Sequence, residues 1–307
     1  MKIGVFLNWP EKCFRAGKSD IVYLKSLAPK EASVFVVKSE REFLKILPDL
    51  THAIVWHFKR QWYDIAVNLK RLATPGAGRE LVRVPGNSKV KVHFGGFHGE
   101  IIAESVIGFI FAWARGFFAI ERQRPVSAAT WPRKWLSDKC TRVKGSSAVI
   151  LGNGKIGSAI GKKLSLLGVD VHGVSRSNIQ DLGRLLKNAD YLITVLPSDT
   201  GTDDIVDGKL ISSLPKRAVV INVGRGNAVK EGDLINALRK KKIAGAYLDV
   251  FKREPTLKLP QDSESDAKIL YSETLPANLI LTPHSSAFSS DYIKLSFDEL
   301  KKDGWFQ

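Results

Sequence analysis

Cysteine is scarce in this sequence, and several common catalytic motifs are missing. The 307 residues include 2 cysteines, and Cys13 and Cys140 form no Cys-x-x-Cys pair. This spacing argues against a disulfide framework and favours a reducing, cytoplasmic location. Zinc-ligand spacing, a nucleophile elbow and a complete glycine-lysine phosphate loop are also missing, so we expect no metal site.

Acidic residues are outnumbered by basic ones. Asp and Glu total 31 and Lys and Arg total 47, which gives a formal net charge of +16. Such a surplus can indicate nucleic-acid binding. The basic residues are spread along the chain, however, and the densest run, residues 239–242, ends a predicted helix where the dipole favours cations. We therefore expect no nucleic-acid partner. The positive electrostatic field of the chain also favours anionic substrates and a phosphorylated cofactor.

Long uninterrupted hydrophobic runs are also lacking. The most apolar segment, residues 100–120, contains Glu104 and Arg115, whose insertion into a bilayer would cost about 2.5 to 3.5 kcal/mol per charge. We expect a helix buried between domains or subunits there, and no membrane association. The apolar run at residues 1–7 is too short for a secretory signal. A hydrophobic share of 44% and the chain's length suit a globular protein of two domains.

The most informative stretch that is present runs from Ser147 to Ser177. An apolar run over 148–151 predicts a buried strand, a helical pattern ends at Gly168, and a second apolar run over 169–174 completes a βαβ unit. The turn between them reads Gly-Asn-Gly-Lys-Ile-Gly. In that context Gly152 permits the tight turn, Gly154 lets a pyrophosphate approach the backbone, and Gly157 lets the helix pack on the strand.

The residues after the second strand predict which dinucleotide binds. An acidic residue here would bind the ribose hydroxyls of NAD, but the chain has Ser175-Arg176-Ser177. A guanidinium flanked by hydroxyls suits a ribose 2′-phosphate. We therefore predict NADP(H) over NAD(H), with a solvated loop arginine as the alternative interpretation.

The first 98 residues alternate strand-like and helix-like stretches, which predicts a small parallel-sheet domain. The backbone N–H groups of Ala77 and Gly78, in a loop after a strand, could hold a substrate carboxylate; an ordinary turn is equally compatible with the composition. Strands are predicted at 2–7, 33–37, 52–56, 71–74 and 90–94, with helices at 19–27 and 40–47.

The second half of the chain predicts a larger sheet of the same kind. A polar excursion over 123–144, with Trp131 and Trp135, precedes the first of its strands and suits a loop or a subunit contact. Further strands are predicted at 191–196, 218–224, 243–250 and 279–282, helices at 231–241 and 289–302, and a loop at 256–266.

Arg225, Glu254 and His284 each follow one of these strands, at spacings of 29 and 30 residues. One strand with its crossover takes about that length, so the three side chains should meet at the edge that carries the glycine-rich turn. An arginine can bind a carboxylate and polarise a ketone, a histidine can transfer a proton to its oxygen, and a carboxylate stabilises the imidazolium. The glutamate should raise the histidine's pKa.

The chain contains the motifs GNGKIG, NVGRGNAV, LDVFKREP and LTPHSSAF. Together these motifs resemble the D-isomer-specific 2-hydroxyacid dehydrogenase family, nearest its NADPH-linked glyoxylate/hydroxypyruvate reductase branch. The resemblance implies an α/β fold of two Rossmann-like domains with parallel sheets. A flavodoxin-like substrate-binding domain, residues 1–98 completed by 285–307, would accompany a dinucleotide-binding domain, 99–284. It also implies an active site between them and a homodimer built through the cofactor domain.

The same resemblance implies that the chain would reduce a small 2-keto acid to the D-2-hydroxy acid. Arg225 would bind and polarise the substrate, Glu254 would support His284, and His284 would be the general acid; substrate would also contact Ala77 and Gly78. Asp249 would contact the nicotinamide carboxamide. The predicted cofactor site comprises Gly152, Gly154, Lys155, Ile156, Gly157, Ser175, Arg176, Ser177, Leu196, Pro197, Thr202, Val223, Asp249 and His284.

Two alternatives stay open at this point. One is an NAD-linked dehydrogenase that oxidises another substrate, such as 3-phosphoglycerate or a phosphonate. Arg176 disfavours this alternative. The other is a dinucleotide-sensing, corepressor-like binding protein, which the basic surface and the tryptophans would fit. Turnover with a panel of keto acids separates an enzyme from a sensor.

Overall fold

The computed structural model describes residues 1–122, 132–254 and 275–307. Trp131 and the loop predicted over 256–266 lie outside these residues. The chain divides into two compact units: Met1–His98 with Phe288–Gln307 form the first, and Gly99–Ala287 form the second.

The first unit contains a five-stranded parallel sheet in the order β2-β1-β3-β4-β5. This is the flavodoxin-like order, in which the chain reverses direction across the sheet beside β1, and it confirms the predicted fold class. Its strands are β1 (Lys2–Phe6), β2 (Ser33–Val36), β3 (His52–Val55), β4 (Arg71–Thr74) and β5 (Lys91–Phe94).

Three α-helices belong to the first unit, and short-range capping explains where two of them begin. The carboxylate of Asp20 accepts a hydrogen bond from the N–H of Gly17 at 2.8 Å, and the hydroxyl of Ser39 accepts one from the N–H of Glu42 at 3.3 Å. These helices are α1 (Lys18–Leu27), α2 (Glu40–Ile46) and, from the C-terminal segment, α10 (Tyr292–Lys302).

The second unit contains a six-stranded parallel sheet in the order β11-β10-β9-β8-β6-β7. Every residue of β8, β9 and β10 is buried, as expected for parallel strands covered on both faces. The strands are β6 (Ser147–Leu151), β7 (Asp170–Val174), β8 (Tyr191–Thr194), β9 (Val219–Asn222), β10 (Gly245–Leu248) and β11 (Leu279–Leu281).

The described α-helices of this unit are α3 (His98–Ala114), α4 (Phe117–Glu121), α5 (Arg133–Ser137), α6 (Lys155–Leu166), α7 (Leu182–Leu186), α8 (Gly208–Ser212) and α9 (Glu231–Arg239). All except α4 and α5 contribute buried apolar residues to one of two clusters that also contain residues of the sheet.

The apolar segment over 100–120 is two helices, so the prediction of one continuous helix is wrong. The chain breaks at Gly116, whose φ of +71° is left-handed and incompatible with a continuing α-helix. Val106 and Ile110 are fully buried in the same cluster as Ile150 of β6, so α3 covers one face of the second unit's own sheet. Within the described residues, no helix has the length and apolarity needed to span a membrane.

Candidate active site of the second unit

Close glycine contacts connect neighbouring loops at the carboxyl edge of the six-stranded sheet. The chain changes direction across this sheet between β6 and β8, and such a switch point is where open α/β sheets bind ligands. A Cβ added to Gly152 would lie 2.4 Å from the carbonyl oxygen of Val195. A Cβ on Gly224 would lie 2.7 Å from the backbone nitrogen of Leu196. These contacts place the loops after β6, β8 and β9 side by side.

The glycine-rich turn has the geometry that its sequence predicts. Gly152 adopts a φ of +104°, which only glycine accepts readily, and Gly157 lies so close to it that an added Cβ would be 1.9 Å from the carbonyl oxygen of Gly152. Gly154 is the residue before α6, and a Cβ there would meet nothing within 4 Å. Open space beside a helix N-terminus suits a pyrophosphate.

Asp249 organises the loop that carries His284. Its carboxylate is completely buried and accepts hydrogen bonds from the Oγ1 of Thr282 at 2.5 Å and the backbone N–H groups of Ser285 and Ser286 at 2.8 and 3.0 Å. The N–H of His284 donates to the carbonyl oxygen of Asp249 at 2.8 Å. The predicted contact of Asp249 with nicotinamide stays a prediction; the loop contacts are what the structure shows.

His284 and Glu254 form a hydrogen-bonded ion pair at the end of the sheet. The Nδ1 of His284 lies 2.7 Å from the Oε2 of Glu254, and the Oε1 of Glu254 accepts a hydrogen bond from the N–H of Phe251 at 3.1 Å. The hydrogen bond to Glu254 raises the pKa of His284 against the opposing effect of burial. Burial acts to raise the pKa of Glu254, but the hydrogen bond and charge of His284, the N–H of Phe251 and the charge of Arg225 together lower it.

Arg225 follows β9 and belongs to the same group of charges. Its positive charge acts to lower the pKa of both Glu254 and His284, which places the guanidinium within electrostatic range of the pair. Asn222, which is completely buried, holds the backbone here: its Nδ2 donates to the carbonyl oxygen of Arg225 at 3.1 Å and its Oδ1 accepts from Thr194 at 2.8 Å.

At the other end of this edge, Ser175, Arg176 and Ser177 follow β7. The two serine hydroxyls lie 2.8 Å apart, and the Oγ of Ser175 also contacts the Oδ1 of Asn178 at 3.0 Å. Arg176 forms an ion pair with Asp199, from the loop after β8, with 3.0 Å between Nη2 and Oδ2. This acidic partner is absent from the sequence prediction.

The remaining predicted cofactor residues occupy the same edge. Lys155 and Ile156 begin α6, and Val223 follows β9 directly. Leu196 and Pro197 follow β8, and the Oγ1 of Thr202 lies 2.7 Å from the carbonyl oxygen of Pro197. Their contacts with a cofactor stay a prediction.

Ala77 and Gly78, predicted to bind substrate, belong to the first unit. They follow β4 at the carboxyl edge of its sheet, and the Oγ1 of Thr74 accepts a hydrogen bond from the N–H of Gly76 at 3.2 Å. The N–H of Gly95 donates to the carbonyl oxygen of Gly76 at 3.1 Å, which fixes the loop from the side of β5.

Asn222 and Asp199 are site residues that the sequence prediction missed. Asn222 lies within NVGRG, three residues before Arg225, so its place in a motif was a usable signal. No sequence signal indicates Asp199, because its role depends on a contact with Arg176, which lies 23 positions earlier in the chain.

Residues 107–286, more than half of the chain, match the D-isomer specific 2-hydroxyacid dehydrogenases, in their NAD binding domain. The chain belongs to this family. It is therefore an oxidoreductase with an NAD(P)-binding domain, as its motifs predicted, and its family acts on small 2-hydroxy and 2-keto acids.

Relatives within this family carry several substrate names. Glyoxylate/hydroxypyruvate reductase A of Salmonella choleraesuis is 33% identical over 172 residues, 51% of this chain and 52% of that protein. D-3-phosphoglycerate dehydrogenase 2 of Saccharomyces cerevisiae is 31% identical over 195 residues, 60% of this chain and 40% of that protein. Each match spans about half or less of the relative, so these names carry over as proposals only.

A solved structure of the family shares the fold. The D-isomer specific 2-hydroxyacid dehydrogenase from Lactobacillus delbrueckii ssp. bulgaricus, in its NAD complexed form, superposes with a TM-score of 0.79. It is 21% identical, and the match covers 99% of this chain and 96% of that chain. At this identity the likeness concerns the fold alone.

Proposed function

We propose that this protein reduces a small 2-keto acid, of the glyoxylate or hydroxypyruvate type, to the D-2-hydroxy acid with NADPH. The observation that carries the proposal is the 2.7 Å contact between His284 and Glu254, with Arg225 within electrostatic range, at the sheet edge that bears the glycine-rich turn. The three residues combine a proton donor, its acidic support and a fixed cation.

The residues at this edge fit a bound dinucleotide. Gly154 leaves space for a pyrophosphate beside the first N–H groups of α6, and Arg176 with Ser177 can bind a ribose 2′-phosphate. The nicotinamide, when bound, supplies the hydride that reaches the substrate carbon.

The chain's own side chains supply the remaining chemistry. The guanidinium of Arg225 binds the substrate carboxylate and polarises the neighbouring carbonyl group. The imidazolium of His284 donates its Nε2 proton to the carbonyl oxygen, since Nδ1 is engaged by Glu254. Glu254 stabilises the charged imidazolium before transfer and fixes the orientation of the ring.

The roles of the units and the setting of the enzyme are part of the same proposal. The second unit binds the dinucleotide and forms a homodimer, and the first, through Ala77 and Gly78, binds the substrate carboxylate. The protein acts in the cytoplasm, where its two cysteines stay reduced.

NADPH oxidation with glyoxylate, hydroxypyruvate, pyruvate and bulkier keto acids tests this function. We expect turnover with at least one small acid, and a fall in kcat/KM of about 10²- to 10⁴-fold in His284→Ala and in Arg225→Ala. His172→Ala and Arg184→Ala are matched controls, because both residues form surface ion pairs away from this site. Near-wild-type turnover in His284→Ala would reject the mechanism, and cofactor binding without turnover would favour a sensor.

Asp199 favours a second candidate, the same reaction with NAD(H). A carboxylate 3.0 Å from the guanidinium of Arg176 competes with a 2′-phosphate for that group. Comparing kcat/KM for NADPH and NADH decides between the two candidates: a preference for NADH would favour the second.

A further inference from the structure

We propose that Asp199 is a cofactor-specificity residue that weakens the binding of NADPH relative to NADH by occupying Arg176. This inference deepens the proposed function and rests on Arg176 binding a 2′-phosphate. It starts from one contact, between the Nη2 of Arg176 and the Oδ2 of Asp199 at 3.0 Å.

The two partners differ in how firmly the chain holds them. The side chain of Arg176 is 88% exposed, whereas that of Asp199 is 37% exposed. The Oδ1 of Asp199 accepts a hydrogen bond from the N–H of Gly201 at 2.9 Å, and its own N–H donates to the Oγ1 of Thr202 at 3.2 Å. The turn therefore fixes the carboxylate, and the long arginine side chain reaches across to it.

The side chains that hydrogen-bond to Ser175, beside Arg176, are neutral. The amide of Asn178 is committed to the backbone: its Nδ2 donates to the carbonyl oxygen of Gly173 at 3.0 Å and its Oδ1 accepts from the N–H of Ser175 at 2.8 Å. Ser175 and Ser177 supply hydroxyls, which are neutral. A 2′-phosphate bound by Arg176 therefore shares its guanidinium with a carboxylate.

The charge of Asp199 acts differently on the two cofactors. A phosphate monoester carries a charge of about −1.5 to −2 at neutral pH, and like charges within a few ångströms repel each other. The ribose 2′-hydroxyl of NADH carries no charge and can donate a hydrogen bond to a carboxylate. The same side chain thus opposes NADPH and tolerates NADH.

Fluorescence titration of the full-length protein with NADPH and with NADH tests the proposal without relying on turnover. Asp199→Asn keeps an oxygen for the N–H of Gly201 and removes the charge. We expect the Kd for NADPH to fall about two- to fivefold, the range of an exposed ion pair, and the Kd for NADH to stay the same or rise. The gain should shrink as ionic strength increases.

Asp181→Asn is the matched control, because Asp181 pairs with Arg184 at 3.7 Å and lies five residues from Arg176 along the chain. An equal effect in both variants would show general electrostatics and overturn the assignment. An unchanged or weaker affinity of Asp199→Asn for NADPH would overturn it as well.

Arg176→Ala separates the failure of this inference from that of the proposed function. If Arg176→Ala weakens NADPH and Asp199→Asn leaves the ratio of the two Kd values unchanged, the inference fails and NADPH use stands. If Arg176→Ala leaves NADPH binding unchanged, the proposed cofactor site fails first. In Arg176→Ala, adding Asp199→Asn should change the ratio of the two Kd values less than it does in wild type, because the part of the effect that acts through Arg176 is lost.

Discussion

His284 adopts a backbone conformation that a non-glycine residue seldom accepts. Its φ of +52° lies in the left-handed region, which costs roughly 1 to 3 kcal/mol and persists only where the surrounding structure fixes it. The buried carboxylate of Asp249 provides that fixation through its bonds to Ser285 and Ser286. Charge-assisted hydrogen bonds of this kind are about twice as strong as neutral ones. The strain is therefore held at the residue whose ring the proposed chemistry uses.

Glu254→Gln should move the pH dependence of keto-acid reduction. Reduction needs the imidazolium, and the bond to Glu254 raises the pKa of His284, so the wild type keeps its activity to higher pH. Without the carboxylate that pKa falls, and the alkaline limb of kcat/KM should shift to lower pH, with the smallest loss at acidic pH. A kcat/KM profile across pH measures the shift.

Glu100→Gln is the control for this profile, because Glu100 forms a surface ion pair with Lys163. An alkaline limb at the wild-type position in Glu254→Gln would show that Glu254 does not set the pKa of the catalytic acid.

The sequence predicted individual site residues where a suitable side chain occurs at the spacing of consecutive parallel strands. Arg225, Glu254 and His284 each follow a strand, and parallel strands bring their carboxyl ends together. Their roles stay predictions, although the structure joins Glu254 to His284 at 2.7 Å. The pairing of Arg176 with Asp199 could not be predicted, because neither amino-acid composition nor hydrophobic periodicity indicates which of the many surface carboxylates an arginine contacts.

At the scale of elements, glycine sets how closely the loops approach each other. A Cβ on Gly226, in the loop after β9, would lie 1.8 Å from the carbonyl carbon of Phe251, in the loop after β10. The second loop carries Glu254, so the contact helps to position the acid next to Arg225. Backbone cannot yield as a flexible side chain can, and any larger residue must separate the two loops.

Gly226→Ala should therefore destabilise the protein by about 1 to 3 kcal/mol and reduce kcat/KM, because the loops must move apart. Gly232→Ala is its matched control: Gly232 lies in α9, an added Cβ there meets nothing within 4 Å, and alanine should stabilise the helix by about 0.5 to 1 kcal/mol. Denaturant unfolding and steady-state kinetics check both. Equal stability in the two variants would contradict the close approach.

Element types were easier to predict than element ends. Predicted strands correspond to all eleven described strands. The signal is strongest in β8, β9 and β10, because parallel strands buried on both faces read as continuous apolar stretches. The break after Ala114 was missed, because hydrophobicity continues through Phe117 and Phe118, and only Gly116 indicates the left-handed turn.

At the scale of the whole molecule, each unit has its own core. The first unit is completed by residues from the far end of the chain: Tyr292, Ile293, Phe297 and Leu300 form the buried face of α10. The helix packs against α1, and the hydroxyl of Tyr23 donates a hydrogen bond to Asp298. Separate cores allow the units to open independently.

Phe297→Ala tests this independence. Phe297 is completely buried in the first unit, and its truncation should cost about 3 to 5 kcal/mol there. Hydrogen exchange should accelerate over Met1–His98 and Phe288–Gln307 and remain slow in the strands of Gly99–Ala287, which should still bind NADPH by fluorescence. Phe35→Ala is the matched control, since Phe35 of the same unit is 40% exposed and should change little. Equal acceleration in both units would show a single cooperative fold, in which α10 supports the dinucleotide-binding unit as much as its own.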